Sequence, residues 1–228
     1  MKKLFFLLII ILHTSVKSQN VLFVGNSLTY ANNMPQIVEY IGKQNDVVIK
    51  TESICLPNYA IIDHINDGNL QKLLNKKQFN YILIQQGPSS QEEGRRMLVE
   101  DGVKMKALAN KHQIQLGYFM VWPSLKYYFT FDKVIENHET AAKKNNALLF
   151  PVGKVWKAYN ANKELENLYS FDNFHPSKTG SFLAALTIFH KLHPEKNLKE
   201  LNFKDYSQWI SNQASFQKMI QLISEKSN

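Results

Sequence analysis

Two short segments carry residue types suited to nucleophilic chemistry, and they lie near opposite ends of the chain. Gly25-Asn26-Ser27-Leu28-Thr29 follows the apolar run Val21–Val24, and Asp172-Asn173-Phe174-His175-Pro176 precedes a helix-patterned stretch. A serine just past a strand, on a turn opening toward a helix, either caps that turn or exposes its hydroxyl at the sheet edge. An aspartate three residues before a histidine can accept the imidazole Nδ1–H, leaving Nε2 as a base; the bland alternative is a capped helix start with a surface histidine. Seven aspartates and seven histidines in 228 residues give about 0.2 such D-x-x-H pairs by chance, so the pair gains meaning only beside the serine. The first segment is not a G-x-S-x-G elbow, because Thr29 stands at the second glycine.

The elements that must position these residues follow from the hydrophobic pattern. Short β-rich runs at Val21–Val24, Val47–Thr51, Tyr81–Ile84, Leu116–Val121 and Leu148–Val152 are largely continuous in apolar residues, as strands buried on both faces of a parallel sheet require. Helical periodicity fills 34–44, 60–76, 92–112, 132–145, 154–162, 177–192 and 205–224, with a loop from Pro194 to Phe203. Pro176 suits the first position of the helix after His175. Five strand–helix alternations predict one α/β domain, a three-layer α/β/α sandwich with a five-stranded parallel sheet. Ligands of such sheets sit outside the carboxyl ends of the strands, where Ser27 falls.

Composition narrows the class. The 228-residue chain (26.4 kDa) is 44% hydrophobic and 20% charged, which fits a globular domain and excludes a disordered one. Its single cysteine, Cys55, rules out an intramolecular disulfide and a cysteine-cluster zinc site. Lys2 and Lys3 precede an apolar run from Leu4 to Leu12, and Val16 and Ser18 are small residues suited to cleavage before Gln19. Residues 1–18 therefore read as a secretory signal peptide, and residues 19–228 as the domain with a C-terminal helical extension from about 195. The expected location is secreted or periplasmic, with no stable membrane anchor after cleavage. Cleavage removes three lysines from a formal charge of +8, and the remaining lysines are dispersed, so no nucleic-acid partner is expected.

With the serine after the first strand and the Asp–His pair before the last helix of the sheet domain, the chain resembles the SGNH (GDSL-type) hydrolases. Val21–Thr29 is similar to that family's first block, and Asp172–Pro176 to its last; Leu149–Trp156 is similar to the strand and helix that precede the last block in some subfamilies. The resemblance implies a flavodoxin-like strand order, 2-1-3-4-5, and a triad of Ser27, His175 and Asp172. It implies a serine esterase that needs no metal or organic cofactor. The middle blocks depart from the family pattern. Leu56-Pro57-Asn58-Tyr59 has no glycine where one usually donates to the oxyanion, and Asn58, tolerant of left-handed angles, is the expected substitute. Ser89 falls where the family's asparagine stands, and Gln86-Gly87 is similar to a Q-G-E stretch of some carbohydrate esterases. Gln86 is thus the third expected donor, beside Asn58 and the Ser27 N–H.

Other residues invite plainer readings. His190 and His193 are expected on the solvent face of a helix end, His64 at the surface, and Cys55 as a small buried hydrophobe. Tyr30, Tyr59 and Trp122 follow strands and are candidate platforms for a sugar ring, with core packing the alternative for Trp122. The expected activity is removal of short acyl groups, acetyl above all, from a carbohydrate or another polar alcohol. A secreted ligand-binding protein on a catalytically degenerate hydrolase fold is the alternative.

Overall fold

The computed structural model describes residues 18–227, so the signal-peptide segment, Ser18 apart, lies outside the described residues. Five parallel strands, β1 (Gln19–Gly25), β2 (Ile49–Cys55), β3 (Tyr81–Ile84), β4 (Gln115–Phe119) and β5 (Leu148–Phe150), form one sheet in the order β2-β1-β3-β4-β5. The α-helices are α1 (Ser27–Tyr30), α2 (Met34–Gln44), α3 (Ile61–Asn66), α4 (Asn69–Leu74), α5 (Glu92–Lys111), α6 (Phe131–Lys144), α7 (Val152–Asn160), α8 (Lys178–Leu192) and α9 (Gln213–Lys226).

The central strand explains the layers. Val21 and Phe23 face one core, shared with α2, α7, α8 and α9, whereas Leu22 and Val24 face the other, shared with α3, α4 and α5. Both faces of β1 are dry, which is why its sequence is a continuous apolar run. Helix α8 is buried almost all round, between α2 on one side and α7 and α9 on the other, and it is accordingly apolar all round. The last helix, α9, contributes Phe216, Met219, Ile220 and Ile223 to the same core. Each such buried side chain is worth roughly 1.5–3 kcal/mol.

The register levels the strand ends. Gly25 lies opposite Cys55, and Val24 opposite Ile84, so the segments leaving β1, β2 and β3 emerge at one sheet edge.

Several boundaries differ from the sequence expectation. The stretch 60–76 is two helices, broken at Asp67-Gly68, where Gly68 adopts φ +74°. Pro176 does not open α8; it bridges to Tyr169, and Ser177 caps the helix by accepting from the Gly180 N–H. The 205–224 stretch begins its α-helix only at Gln213, after a 3₁₀ turn over Phe203–Tyr206, and another 3₁₀ turn over Leu198–Glu200 interrupts the expected loop.

Candidate active site

Asn26, not Ser27, caps the turn after β1: its Oδ1 accepts the Leu28 N–H at 3.1 Å, and its Nδ2 donates to the Tyr59 carbonyl at 3.0 Å. That leaves the Ser27 hydroxyl free. Buried Gln85, from the end of β3, holds the turn from below, its Oε1 accepting from Asn26 N at 2.9 Å and from Thr29 Oγ1 at 2.8 Å. The approach is so close that a Cβ on Gly25 would meet Gln85 Oε1 at 2.5 Å. A side chain there would displace Gln85 Oε1 or Thr29 Oγ1 and disturb the bond between them.

The loop before α8 brings the other two residues. Asp172 Oδ1 accepts the N–H groups of Phe174 (3.0 Å) and His175 (2.9 Å), an Asx-type turn, with Asn173 at φ +59°. Asp172 Oδ2 accepts His175 Nδ1–H at 2.5 Å, and Ser27 Oγ lies 2.8 Å from His175 Nε2. With Nδ1 protonated toward the carboxylate, the Nε2 lone pair faces the serine hydroxyl, which donates to it. The His175 hydrogen bond, helped by the two backbone N–H groups, holds the Asp172 carboxyl below its usual range. The geometry brings the three sequence-predicted residues into one hydrogen-bonded chain.

The turn after β2 lies beside them through the Asn26–Tyr59 bond. Asn58 has φ +62°, and its N–H donates to no acceptor among the described residues. The Ser27 N–H, at the first helical position, has no intrahelical acceptor either. Gln86 departs from expectation. Its Nε2 donates to Ser89 Oγ at 2.9 Å and points its other hydrogen toward the Gly94 carbonyl at 3.5 Å, so the amide braces its own loop instead of offering a donor to Ser27.

No family model and no curated protein matches the chain, but solved structures do. A candidate SGNH hydrolase from Slackia heliotrinireducens superposes with TM-score 0.63 at 22% identity, over 76% of this chain and 98% of that one. A DUF4886 family protein from Bacteroides uniformis superposes with TM-score 0.73 at 14% identity, over 92% and 94%. The acetyl xylan esterase AlAXEase gives 0.57 at 15% identity, over 75% and 98%. The fold is that of the SGNH hydrolases.

On this SGNH frame a groove of about 1160 Å³ adjoins the Asp172 loop, between the segments after β3 and β4. Pro88, Met97, Pro123, Tyr127, Phe129 and Phe174 make its walls largely apolar. Neither Tyr30 nor Tyr59 lines it: Tyr30 ends α1 at the surface, and the Tyr59 ring packs on His64. Trp122 is not a substrate platform. It is fully buried, stacked on Trp156 at 3.6 Å, and its Nε1–H donates to the Phe174 carbonyl, so it supports the Asp172–His175 loop from beneath. Two of the aromatic residues that line the groove, Tyr127 and Phe129, belong to a 3₁₀ turn after β4 whose sequence carries no strand or motif signal.

Two histidines also correct the surface expectation. His64 is fully buried, and His193 is buried with its Nδ1–H donated to Glu195. His190 is half-buried, and among the described residues no group of three His, Cys, Asp or Glu is placed to hold a metal. Cys55 is half-buried with its thiol turned to the Phe23 carbonyl, and desolvation pushes it up to about 12, which makes it inert as a nucleophile. Gln85 is the supporting residue that motif reading missed; a polar pair directly after an apolar strand, Gln85-Gln86, was its only trace.

Proposed function

We propose that the protein is an exported serine esterase that removes short acyl groups, acetyl foremost, from a carbohydrate or another polar alcohol. The observation that supports the chemistry is the chain Ser27 Oγ–His175 Nε2 (2.8 Å) and His175 Nδ1–Asp172 Oδ2 (2.5 Å) at the carboxyl edge of the sheet. Ser27 Oγ attacks the ester carbonyl carbon while its proton passes to His175 Nε2, and Asp172 stabilises the imidazolium. The N–H groups of Ser27 and Asn58 hold the oxyanion; one such donor is worth roughly 3–4 kcal/mol of barrier. His175 then gives the proton to the departing alcohol oxygen, and a water, deprotonated by the same nitrogen, releases the acyl group as the acid. The residues 1–18 pattern supports export, and likeness to an acetyl xylan esterase supports the short acyl group.

The apolar walls of the groove favour a second reading for the substrate, an ester with a longer acyl chain or an aryl group lying against Met97 and Phe174. A chain-length series of nitrophenyl esters separates the two: acetate turned over faster than octanoate supports the first, and the reverse order replaces it with the second. Ser27→Ala should abolish both turnover and fluorophosphonate labelling while the protein stays folded. Full turnover in that variant ends the triad reading, and a wild-type protein inert to probe and esters alike points to a binding protein instead.

A further inference from the structure

His64 is a buried imidazole that the proposed chemistry does not use. It comes from α3, and its Nε2–H donates to the Gly25 carbonyl at 2.8 Å, while Nδ1 is buried with no partner among the described residues. The same carbonyl accepts the Leu56 N–H at 3.0 Å. Gly25 lies two residues before Ser27, and Leu56 opens the turn that presents the Asn58 N–H. One carbonyl is thus the joint between the nucleophile turn and the oxyanion turn, and His64 supplies its second donor. The ring also packs against Tyr59 (centroids 4.9 Å apart), whose carbonyl accepts from Asn26. Burial lowers the pKa of His64, which keeps the imidazole neutral and its single proton on the nitrogen that faces Gly25.

We propose that His64 is a positioning residue for the oxyanion hole: its Nε2–H, with the Leu56 N–H, fixes the Gly25 carbonyl and thereby holds the Leu56–Tyr59 turn in register with Ser27. The proposal rests on the esterase reading for its effect on rate, though not for its effect on the turn. Aligned donors act only on the charge that develops in the transition state, so loosening them lowers kcat with little change in KM.

The test compares His64→Leu, which keeps apolar volume but has no donor, with His64→Gln, whose Nε2–H stands the same number of bonds from Cβ as the imidazole's. On nitrophenyl acetate, the leucine variant should lose roughly ten- to hundredfold in kcat with KM within about twofold. The glutamine variant should recover most of that loss, which a general packing role would not allow. If the leucine variant does not fold, His64→Asn, whose amide falls one bond short, takes its place. A leucine variant with wild-type kcat, or a glutamine variant equally impaired, overturns the proposal. Amide hydrogen exchange needs no turnover: the Leu56 N–H, bonded to the Gly25 carbonyl, and the Tyr59 N–H, bonded to the Leu56 carbonyl, should exchange about tenfold faster in the leucine variant, with α7–α9 unchanged. Unchanged exchange in that turn overturns the His64 assignment alone, whereas an active turn defect with no ester hydrolysis in the wild type refutes the esterase reading and leaves the assignment standing.

Discussion

The turn that carries Ser27 hangs on side chains from distant elements, whereas the loop that carries Asp172 and His175 largely holds itself. Asn26 N bonds Gln85, 59 residues away, and Gly25 O bonds His64, 39 residues away; both of those side chains are buried. In the loop, by contrast, Asp172 satisfies the N–H groups of residues two and three places on, and Ser170 N–H bonds the His175 carbonyl. The Asp172 and His175 side chains are 35% and 37% exposed, and neighbouring Phe171 is 97% exposed. A self-made turn can afford to sit in solvent. A turn assembled from three elements is rigid only because it is buried.

The comparison breaks most severely at the exposed end. Asp172→Asn removes the charge that orients His175 and stabilises its cation, so kcat on an acetyl ester should fall by about 10⁴-fold. Because the residue lies in a half-exposed, locally bonded loop, the thermal midpoint should move by no more than a few degrees. A loss of folding comparable to the loss of rate would show that the loop is not self-supporting.

Acid should act on the buried interior before it neutralises Asp172. His138 is fully buried in α6, with Nδ1–H on the Val134 carbonyl, and desolvation lowers its pKa to about 4. Between about 6.5 and about 4 the unfolded chain takes up a proton that the folded chain refuses, so stability falls as pH falls across that window and is undiminished above it. The full loss is about 3 kcal/mol. Asp172 has its pKa depressed below 3.8, so its contribution is present above that value and disappears only as pH drops further. Stability in urea denaturation should therefore decline between about pH 6.5 and about 4, and His138→Leu should flatten the dependence. A wild-type stability unchanged across that window would contradict this.

The same contrast explains what could be read from the residues alone. Asp172-Asn173-Phe174-His175 is a local turn, so its spacing already contained its geometry, and the continuous apolar run of β1 already contained its central place in the sheet. Gln85, His64 and Trp122 depend on which strands are neighbours, so the residues alone leave Gln85 without a role, put His64 at the surface and leave Trp122 open between pocket and core. His64 looks like a surface residue until Gly25, from another element, is set beside it. Gly68, at φ +74°, breaks the 60–76 stretch although both halves, Ile61–Asn66 and Asn69–Leu74, carry apolar periodicity.

Gln85→Leu tests the dependent turn. It leaves two buried donors, Asn26 N and Thr29 Oγ1, without their acceptor, which should cost about 2–4 kcal/mol in urea denaturation. It should also slow turnover, because the Ser27 turn loses its support from β3. Stability within 0.5 kcal/mol of wild type, a rough threshold for surface changes, would mean that the turn does not need that support.

Trp122→Phe makes the smallest change and asks how much help the self-made loop receives. The indole Nε1–H on the Phe174 carbonyl (3.0 Å) is a side-chain tie from the sheet to the segment between Asp172 and His175. Below it the ring stacks on Trp156, which meets Tyr169 edge-on, and Tyr169 in turn donates its hydroxyl to Pro123. Phenylalanine keeps part of the stack, leaves the Phe174 carbonyl without this donor and opens a small void, a combination that should cost about 1–2 kcal/mol. Because Asp172 Oδ1 still closes its own turn, kcat should drop less than tenfold, well short of the loss from Asp172→Asn. A rate loss as large as that of Asp172→Asn would place the loop's order in the aromatic floor rather than in the Asp172 turn, and would make the two regions alike in depending on buried partners.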